Sequence, residues 1–407
     1  MNIFLNKKIN PDVNDFEIIE RKGLGHPDTL ADGIAEYLSN SYSKYCLKRF
    51  GCVLHHNLDK IYVSGGLVNC DFLSEKKILK PMVVYINGRA SASFSGKKIN
   101  LKKLFENFAK EYLTEILPNL KKFKSPVKVE FITNTFSHNP YWYNPRGVQD
   151  LPDKKRPYAN DTSTVVGFYP LSKSEKKVIA VESFFYNNKG LPRFNYVGQD
   201  IKIMLVRNKD KTNITTNIPI LISYVKNYNE YLKKKNFITK KLVTFLSKEF
   251  PREKINLSVN TLDRMDQESH YTLLIGTCSE AGEEGLVGRG NKTNGLISTC
   301  RPISMEALHG KNPVYHVGKV LTYKANNIAK DISKEFDCYC SVFITTKAGE
   351  DISSPSYINI EINKKCNNKI IESIVSKNLQ ETEYTIKIIE GEFLPKSQIV
   401  RYKKHEI

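Results

Sequence analysis

The sequence predicts an α+β protein in which strands and helices alternate along a chain of 407 residues. Apolar residues recur at helical spacing in several stretches, of which Leu30, Ile34 and Leu38 form the first. Other stretches alternate between apolar and polar residues, as half-buried strands do; they are 256–261, 271–276, 342–345, 359–362 and 384–389. A chain of this length exceeds one typical core, so we expect two or three structural units.

The opening unit is predicted to run strand, turn, helix. Residues 16–19 form a short apolar run, and Gly23 and Gly25 permit a tight turn. Pro27 suits the first turn of a helix, where its missing N–H has no partner to lose. We therefore expect a helix to begin at this proline.

Three acidic residues, Asp28, Asp32 and Glu36, recur every four residues of that helix and share one face. Like charges at this spacing cost a few tenths of a kcal/mol each, so the pattern favours a cation beside them. A metal ion carried in with a polyphosphate would meet this need. The alternative is an ordinary helix start with acids favoured by the dipole and His26 as a plain loop residue.

The next segments are strands and a core helix, with one irregular stretch. His55, His56 and Asp59 lie at the predicted entrance of a strand at 61–63, and without a third spaced ligand they are weak evidence for a metal. Val83–Ile86 is a predicted strand, and the stripe of Leu101, Leu104, Phe105, Phe108 and Tyr112 is predicted to be core. Residues 133–157 contain four prolines and the single tryptophan, a pattern typical of a functional or mobile loop.

The second half begins with a helix predicted after Ser172. Asp200 and Lys202 then face the same side if they lie in one strand, either as a site or as an ordinary surface pair. Residues 224–250 are predicted to form two Lys-rich helical stretches of an outer layer.

Two later blocks combine glycine with basic residues. In 280–292, glycines would let backbone N–H groups converge on an anion while Arg289 and Lys292 supply charge. The Gly-Lys-Ser/Thr ending of a Walker loop is absent, and a mobile connection is the alternative. In 310–319, Lys311, His316 and Lys319 gather at a predicted helix start and would suit a polyphosphate.

The bulk composition excludes several classes of protein. No run approaches the ~18 apolar residues that a membrane helix needs, and residues 1–15 lack an apolar signal core, so a cytoplasmic protein is expected. The eight cysteines are predicted to be reduced thiols. The net charge of +19 comes chiefly from scattered lysines, which favours a solvated surface over nucleic-acid binding. An RNA-binding protein stays open as an alternative that a steep salt dependence would support.

The opening stretch resembles the signature of S-adenosylmethionine synthetases (methionine adenosyltransferases), in particular their archaeal-type branch. The similarity continues through 159–163, 197–204, 280–292 and 301–319, to about residue 325. It implies that residues 1–407 form one catalytic chain of three similar mixed sheet and helix subdomains. These would be interleaved in sequence about a pseudo-threefold axis, and two chains would form a homodimer with active sites in the interface.

The implied reaction joins ATP and L-methionine into S-adenosylmethionine, with release of diphosphate and phosphate. The implied cofactors are Mg²⁺ and a monovalent cation such as K⁺. The resemblance assigns catalytic roles to His26, Lys311, Arg289 and Lys202. It assigns substrate or nucleotide contacts to Asp161, Asp200, Glu283, His316, Lys319, His56 and Asp59. It assigns the metal to Asp28 and Asp32.

One segment departs from the family pattern. Relatives carry a glycine-rich nucleotide-contacting segment where this chain has the stretch that begins Thr133 to Pro140, and 133–157 contains bulkier residues instead, among them Phe136, His138 and Trp142. The alternative function is therefore a diverged relative that uses another nucleoside triphosphate or thioether, or that binds without efficient catalysis. Nucleotide choice, metal count and rate are not predicted.

Overall fold

The computed structural model describes residues 2–7, 10–152, 157–187, 192–264 and 269–391, and these form a mixed α+β architecture, as predicted. The strands are β1 (Asn2–Lys7), β2 (Phe16–Lys22), β3 (His56–Ser64), β4 (Leu67–Asn69), β5 (Lys77–Lys80), β6 (Met82–Ala90), β7 (Ser93–Phe94), β8 (Lys97–Lys98), β9 (Val127–Phe131), β10 (Ser163–Tyr169), β11 (Lys202–Asn208), β12 (Lys211–Asn217), β13 (Ile220–Leu221), β14 (Lys254–Val259), β15 (Thr272–Leu273), β16 (Gly285–Leu286), β17 (Ile297–Ser298), β18 (Cys340–Thr346) and β19 (Tyr357–Ile362). The helices are α1 (Pro27–Phe50), α2 (Leu101–Ile116), α3 (Lys173–Ser183), α4 (Tyr228–Glu249), α5 (Val317–Phe336), α6 (Asn368–Gln380) and α7 (Tyr384–Ile389).

Three larger sheets organise these elements. Their strand orders are β1-β19-β18-β10, β14-β12-β11-β2-β17 and β16-β3-β6-β9. Helix α5 packs on β10 and β18, α3 packs on β2 and β11, and α1 packs on β3. Each larger sheet is thus covered by a helix. The pseudo-threefold relation and the division into three interleaved subdomains stay predictions.

Side-chain caps explain where the main helices begin. His26 caps α1, with Pro27 in its first turn, and Gly51 ends that helix in the left-handed conformation at φ 73°. Ser172 begins α3, as the sequence predicted, and forms a reciprocal pair of hydrogen bonds with Glu175. His316 caps α5 in the same way that His26 caps α1. The predicted starts of all three helices are confirmed.

Two hydrophobic clusters form most of the core. The larger joins α1, α2 and α4 to two of the sheets, and Leu30, Ile34 and Leu38 are completely buried in it. The second lies between α5, α6 and the sheet that contains β18. The long helices α1 and α5 are therefore fixed along their lengths, which holds their N-termini in place.

Some local predictions were wrong. Residues 384–389 form helix α7, not a strand: Tyr384, Ile388 and Ile389 are buried while Ile386 is 44% exposed, and so short a run fits both periodicities. Residues 224–250 contain one long helix after a 3₁₀ turn, not two. The strand predicted at 271–276 is shorter in the structure, where β15 has only the two residues Thr272 and Leu273. No helix among the described residues is long and apolar enough to cross a membrane.

Candidate active site

The turn before α1 is pressed against the segment before β11. The N–H of Gly23 donates to the carbonyl of Ile201 at 2.7 Å, and the N–H of Gly25 donates to that of Gln199 at 2.9 Å. A Cβ on Gly25 would come within 2.7 Å of the Gln199 backbone. Neither glycine has a positive φ, so it is the close approach of the two segments, and not the backbone conformation, that requires glycine here. The contact brings His26 beside Asp200.

His26 is a neutral ring with a defined tautomer. Its Nδ1 accepts from the N–H of Asp28 at 3.2 Å and so caps α1. Burial lowers the pKa of His26 to about 4, and the ammonium of Lys22 adds to that shift. A neutral ring that accepts at Nδ1 carries its proton on Nε2. The side chain is therefore a hydrogen-bond donor at pH 7 without being an acid.

His26 lines a cavity of about 360 Å³ together with Asp200, Lys202 and Glu283. The structure therefore brings together four of the predicted site residues, drawn from three separate parts of the sequence. Tyr271 and Cys278, which the sequence did not single out, complete the wall behind Asp200. Carboxylates, an ammonium group and a thiol thus surround one open space.

Asp200 is the most perturbed acid of this cavity. It lies two residues before β11 and not in the strand, so the predicted strand geometry was wrong although Lys202 lines the same cavity. Burial raises the pKa of Asp200 to about 7, against a 2.7 Å hydrogen bond from the N–H of Cys278 to its Oδ2. A buried carboxylate of this kind is suited to a cationic ligand group.

The acidic face of α1 is met by cations of the protein itself. Asp28 Oδ2 lies 2.9 Å from Lys22 Nζ, Asp32 Oδ1 lies 3.3 Å from His309 Nδ1, and Glu36 Oε2 lies 2.7 Å from Lys319 Nζ. Burial acts to lower the pKa of His309, but the Asp32 carboxylate outweighs it and the pKa is raised. The protein's own side chains therefore balance much of the charge of this stripe, and the metal role of Asp28 and Asp32 stays a prediction.

The glycine-rich block donates backbone N–H groups to two of these carboxylates. The N–H of Leu286 donates to Asp28 Oδ1 at 3.0 Å, and that of Gly288 donates to Asp32 Oδ1 at 2.8 Å. A Cβ on Gly285 would lie 2.0 Å from the Pro27 carbonyl oxygen, so the block crosses α1 at contact distance. Arg289 is on the exposed side of the block, and its carbonyl accepts from Lys22 Nζ at 2.7 Å.

The carboxylates of Asp28 and Asp32, the two predicted metal ligands, differ in their exposure to solvent. The side chain of Asp28 is 13% exposed at the open end of α1, whereas Asp32 is 3% exposed with the partners just described. Among the described residues, no three His, Cys, Asp or Glu side chains cluster as a metal site would require. Mg²⁺ is commonly held by one or two carboxylates plus substrate phosphates. Both carboxylates have protein partners here, and Asp28 is the more accessible of the two to such an ion.

The cationic cluster at α5 is buried. Lys319 is completely buried in its pair with Glu36, and His316, 5% exposed, accepts from the N–H of Gly318 at 3.2 Å. Burial holds the pKa of His316 well below its usual range, and Lys311 and Lys319 add to the shift. Lys311 Nζ forms an ion pair with Glu306 and lies 3.8 Å from Asp59 Oδ2.

The remaining predicted residues lie around this second cluster. His56 is completely buried, 2.8 Å from Ser39 Oγ, and burial lowers its pKa to about 3. His56 is the first residue of β3, so the strand begins five residues before the predicted one at 61–63 and includes Asp59. Asp161 is exposed and its Oδ1 accepts from its neighbour Thr162, but the adjacent Asn160 accepts from the N–H of Val317 at the start of α5.

The divergent loop is partly packed and partly exposed. Phe136 is 81% exposed, whereas the Trp142 ring meets His55 edge to face at 5.1 Å. His55 Nδ1 in turn lies 3.2 Å from the hydroxyl of Tyr315, the residue before His316. Trp142 is therefore linked through His55 to Tyr315, the sequence neighbour of His316. Residues 153–156, where the predicted loop approaches its end, lie outside the described residues.

Several contributors were missed in the sequence. Lys22, His309, Glu306, Tyr271 and Cys278 all contact predicted residues. Four of them lie within five residues of a predicted site residue along the chain, which is the one signal that could have drawn attention to them. Tyr271 carries no such signal, because its hydroxyl reaches the carbonyl of Asp200 across 71 positions of sequence.

The sequence model of the S-adenosylmethionine synthetase (AdoMet synthetase) family matches residues 2–392, so the chain belongs to that family. The predicted membership of the archaeal-type branch is confirmed. The chain is 36% identical over 398 residues to an uncharacterized protein of Streptococcus pyogenes, covering 96% of this chain and 97% of the relative.

Two further relatives carry functional names. A probable S-adenosylmethionine synthase of Aquifex aeolicus is 35% identical over 382 residues, covering 90% of this chain and 91% of the relative. An S-adenosylmethionine synthase of Methanothermobacter thermautotrophicus is 36% identical over 355 residues, covering 85% of both. A solved structure described as an unusual S-adenosylmethionine synthetase from Campylobacter jejuni matches with a TM-score of 0.59, covering 91% of this chain and 88% of that chain; at 15% identity it supports the fold alone.

Proposed function

We propose that this protein forms S-adenosylmethionine from ATP and L-methionine, releasing diphosphate and phosphate. The observation that carries the proposal is the cavity in which the neutral His26 faces Asp200, Lys202 and Glu283. Family membership supports the same reaction. The sulfur of methionine attacks C5′ of the ribose, the S–C5′ bond forms, and the C5′–O bond to the triphosphate breaks. Water then cleaves the triphosphate.

The sulfur has no proton to lose, so the site needs a stabiliser of the leaving group and not a general base. In this proposal the Nε2–H of His26 donates to the triphosphate oxygen that leaves C5′, and the ring keeps its proton. The low pKa of His26, about 4, supports the neutral donor. Arg289 and Lys311 face the departing phosphates, with His316 and Lys319 near them.

The amino acid would lie on the other side of the cavity. Asp200 and Glu283 are acids suited to its ammonium group, and Lys202 is suited to its carboxylate. Asp161 belongs to the outer edge of the substrate region, and His56 and Asp59 act behind Lys311. Bound Mg²⁺ would neutralise charge on the triphosphate, and Asp28 would hold it; Asp32 as a ligand and the K⁺ site stay predictions.

Product analysis by mass spectrometry tests this function directly. We would incubate the protein with Mg²⁺, methionine and each of the four nucleoside triphosphates in turn. The expected result is an adenosyl sulfonium, with phosphate and diphosphate released only when methionine is present. Phosphate release that ignores methionine, without a sulfonium product, would overturn the proposal.

The 133–157 loop supports a second candidate, a relative that uses another nucleoside triphosphate or thioether. The aromatic Trp142, which is 38% exposed against His55, could stack on a base where relatives have glycine. A sulfonium formed from GTP, CTP or UTP at a rate above that of ATP would favour this candidate.

We further propose that the active unit is a homodimer with residues of both chains at each site, as the family resemblance implies. Sedimentation at working concentration should give twice the chain mass of 46.6 kDa. Mixtures of two inactive variants, altered in different parts of the site, should regain some activity when subunits exchange. A fully active monomer would contradict this.

A further inference from the structure

Lys311 is surrounded by negative charge in this structure. It is 3% exposed, its Nζ forms an ion pair with Glu306, and Asp59 Oδ2 lies 3.8 Å away. A lysine expected to face a phosphate is thus already neutralised by the protein. A phosphate could reach the Lys311 ammonium only if Glu306 gave up this ion pair.

Glu306 places its carboxylate where an external anion would be favoured. A Cβ on Gly318, in the first turn of α5, would lie 2.9 Å from Glu306 Cβ and 3.2 Å from Lys311 Nζ. Both side chains therefore lie against the start of a 20-residue helix. The helix dipole attracts anions at such an end. The first N–H groups of the helix already have partners, since that of Val317 donates to Asn160 and that of Gly318 donates to His316. The carboxylate thus supplies a negative charge beside Lys311 at the start of the helix.

The segment that carries Glu306 is held at both ends and open in the middle. Towards its start, the N–H of Met305 donates to the Thr164 carbonyl at 3.0 Å, and Ser304 Oγ accepts from the N–H of Val166 at 2.8 Å. At its end, His309 is paired with Asp32. Between these points, 25% of the Glu306 side chain is exposed, and a cavity of about 100 Å³ adjoins the segment. The side chain has room to turn away while its backbone stays in place.

We propose that Glu306 is an internal competitor for the anion site at Lys311, which it occupies without nucleotide and leaves when a triphosphate binds. The proposal rests on the proposed function in one respect, that Lys311 receives a phosphate. Each binding event then includes the loss of the Glu306 pair, so the affinity for polyphosphate is lower than the cationic cluster alone would give. Glu306 sets that affinity without contacting the reacting atoms.

Calorimetric titration with inorganic tripolyphosphate tests this, on the full chain without methionine. Glu306→Gln removes the charge and nearly preserves the shape, so its Kd should fall about tenfold or more below that of wild type, equivalent to about 1.4 kcal/mol. Glu306→Asp, which keeps the charge but shortens the reach by one methylene, should show a smaller gain. Thermal unfolding of each variant checks that the fold is retained.

Two control variants make the result specific. Glu335→Gln makes the same charge change at the exposed far end of α5 and should bind within twofold of wild type. Lys311→Met should cancel the gain when combined with Glu306→Gln, because the anion site itself is then lost.

The failures of the two proposals are distinguishable. If wild type makes S-adenosylmethionine while Glu306→Gln binds tripolyphosphate no more tightly than wild type, competition is overturned and the function stands. If Glu306→Gln binds more weakly, Glu306 supports the phosphate site and the competition is likewise refuted. If no variant binds tripolyphosphate and no sulfonium forms, both proposals fail.

Discussion

Helices α1 and α5 begin in the same way and lie in different surroundings. Each follows a histidine whose Nδ1 accepts, at 3.2 Å, from the N–H two residues later. Yet His26 lines the 360 Å³ cavity, while His316 is 5% exposed beneath Lys311 and Glu306. A shared capping motif thus produces one open helix end and one that an internal carboxylate covers.

A cap motif identifies an anion-attracting helix end without showing whether a ligand can reach it. Next to His26, segment 199–201 packs against Gly23 and Gly25, and a cavity stays open beside Lys202. Around His316, the facing segment brings Glu306 onto Lys311. Accessibility therefore depends on the covering segment and not on the helix.

The largest expected effect separates the two histidines. His26→Asn keeps a capping side chain but loses the Nε2 donor, so kcat should fall by about two to four orders of magnitude. His316→Asn keeps the same kind of cap at the covered end and should act mainly on KM for ATP, with kcat within about tenfold. Steady-state kinetics of both variants would measure this. Equal losses of kcat would show that the two helix ends do not differ in their part in catalysis.

The next effect concerns the buried pair behind α5. Lys319→Met leaves the carboxylate of Glu36 buried without its cation and should lower the free energy of unfolding by about 3–5 kcal/mol. Glu36→Gln combined with Lys319→Met should recover part of that loss, because no uncompensated charge remains. Urea unfolding would measure both, with the exposed Lys330→Met on the same helix as the control. A Lys319→Met protein as stable as wild type would mean that this ion pair does not stabilise α5.

A third test uses the open site and pH. The folded pKa of Asp200, about 7, lies above its ordinary value, so the folded state binds more protons than the unfolded state between pH 4 and 7. Stability from this group is present below about pH 4 and lost as pH rises through 7. Asp200→Asn should therefore gain stability over wild type at pH 8 relative to pH 4, by about 4 kcal/mol.

Urea unfolding at both pH values would measure that difference, with the exposed Asp161→Asn as the control for a surface carboxylate. If the stability of wild type and of Asp200→Asn changes with pH in the same way, folding does not raise the pKa of Asp200.

The smallest effect is expected at the divergent loop. Phe136 is 81% exposed and Trp142 has one edge contact with His55, so Phe136→Gly and Trp142→Ala should change kcat/KM by less than about tenfold. If the loop reads the base, the ranking of ATP, GTP, CTP and UTP should shift in Trp142→Ala. A strong ATP preference that neither variant changes would leave the loop without a part in nucleotide choice.

Much of the fold followed from local sequence because its signals were local. Pro27 and Ser172 mark helix starts, and the stripes of α1 and α2 were long enough to exclude a strand. The six residues of α7 were too few to separate the two periodicities. Gathering His26, Asp200, Lys202 and Glu283 from the sequence depended on the family resemblance, since more than 170 positions separate the first from the others.

By itself the sequence determined the mixed α+β pattern, the capped starts of α1, α3 and α5, and the residue types of the candidate site, since propensity, capping and periodicity act between near neighbours. Tertiary structure alone decided which of those residues meet open space and which meet one another. The acidic face of α1 pairs with Lys22, His309 and Lys319, and the glycine-rich block binds those same carboxylates. Charge pairing acts through space between segments that are distant in the chain, so spacing along the sequence could not reveal these partners.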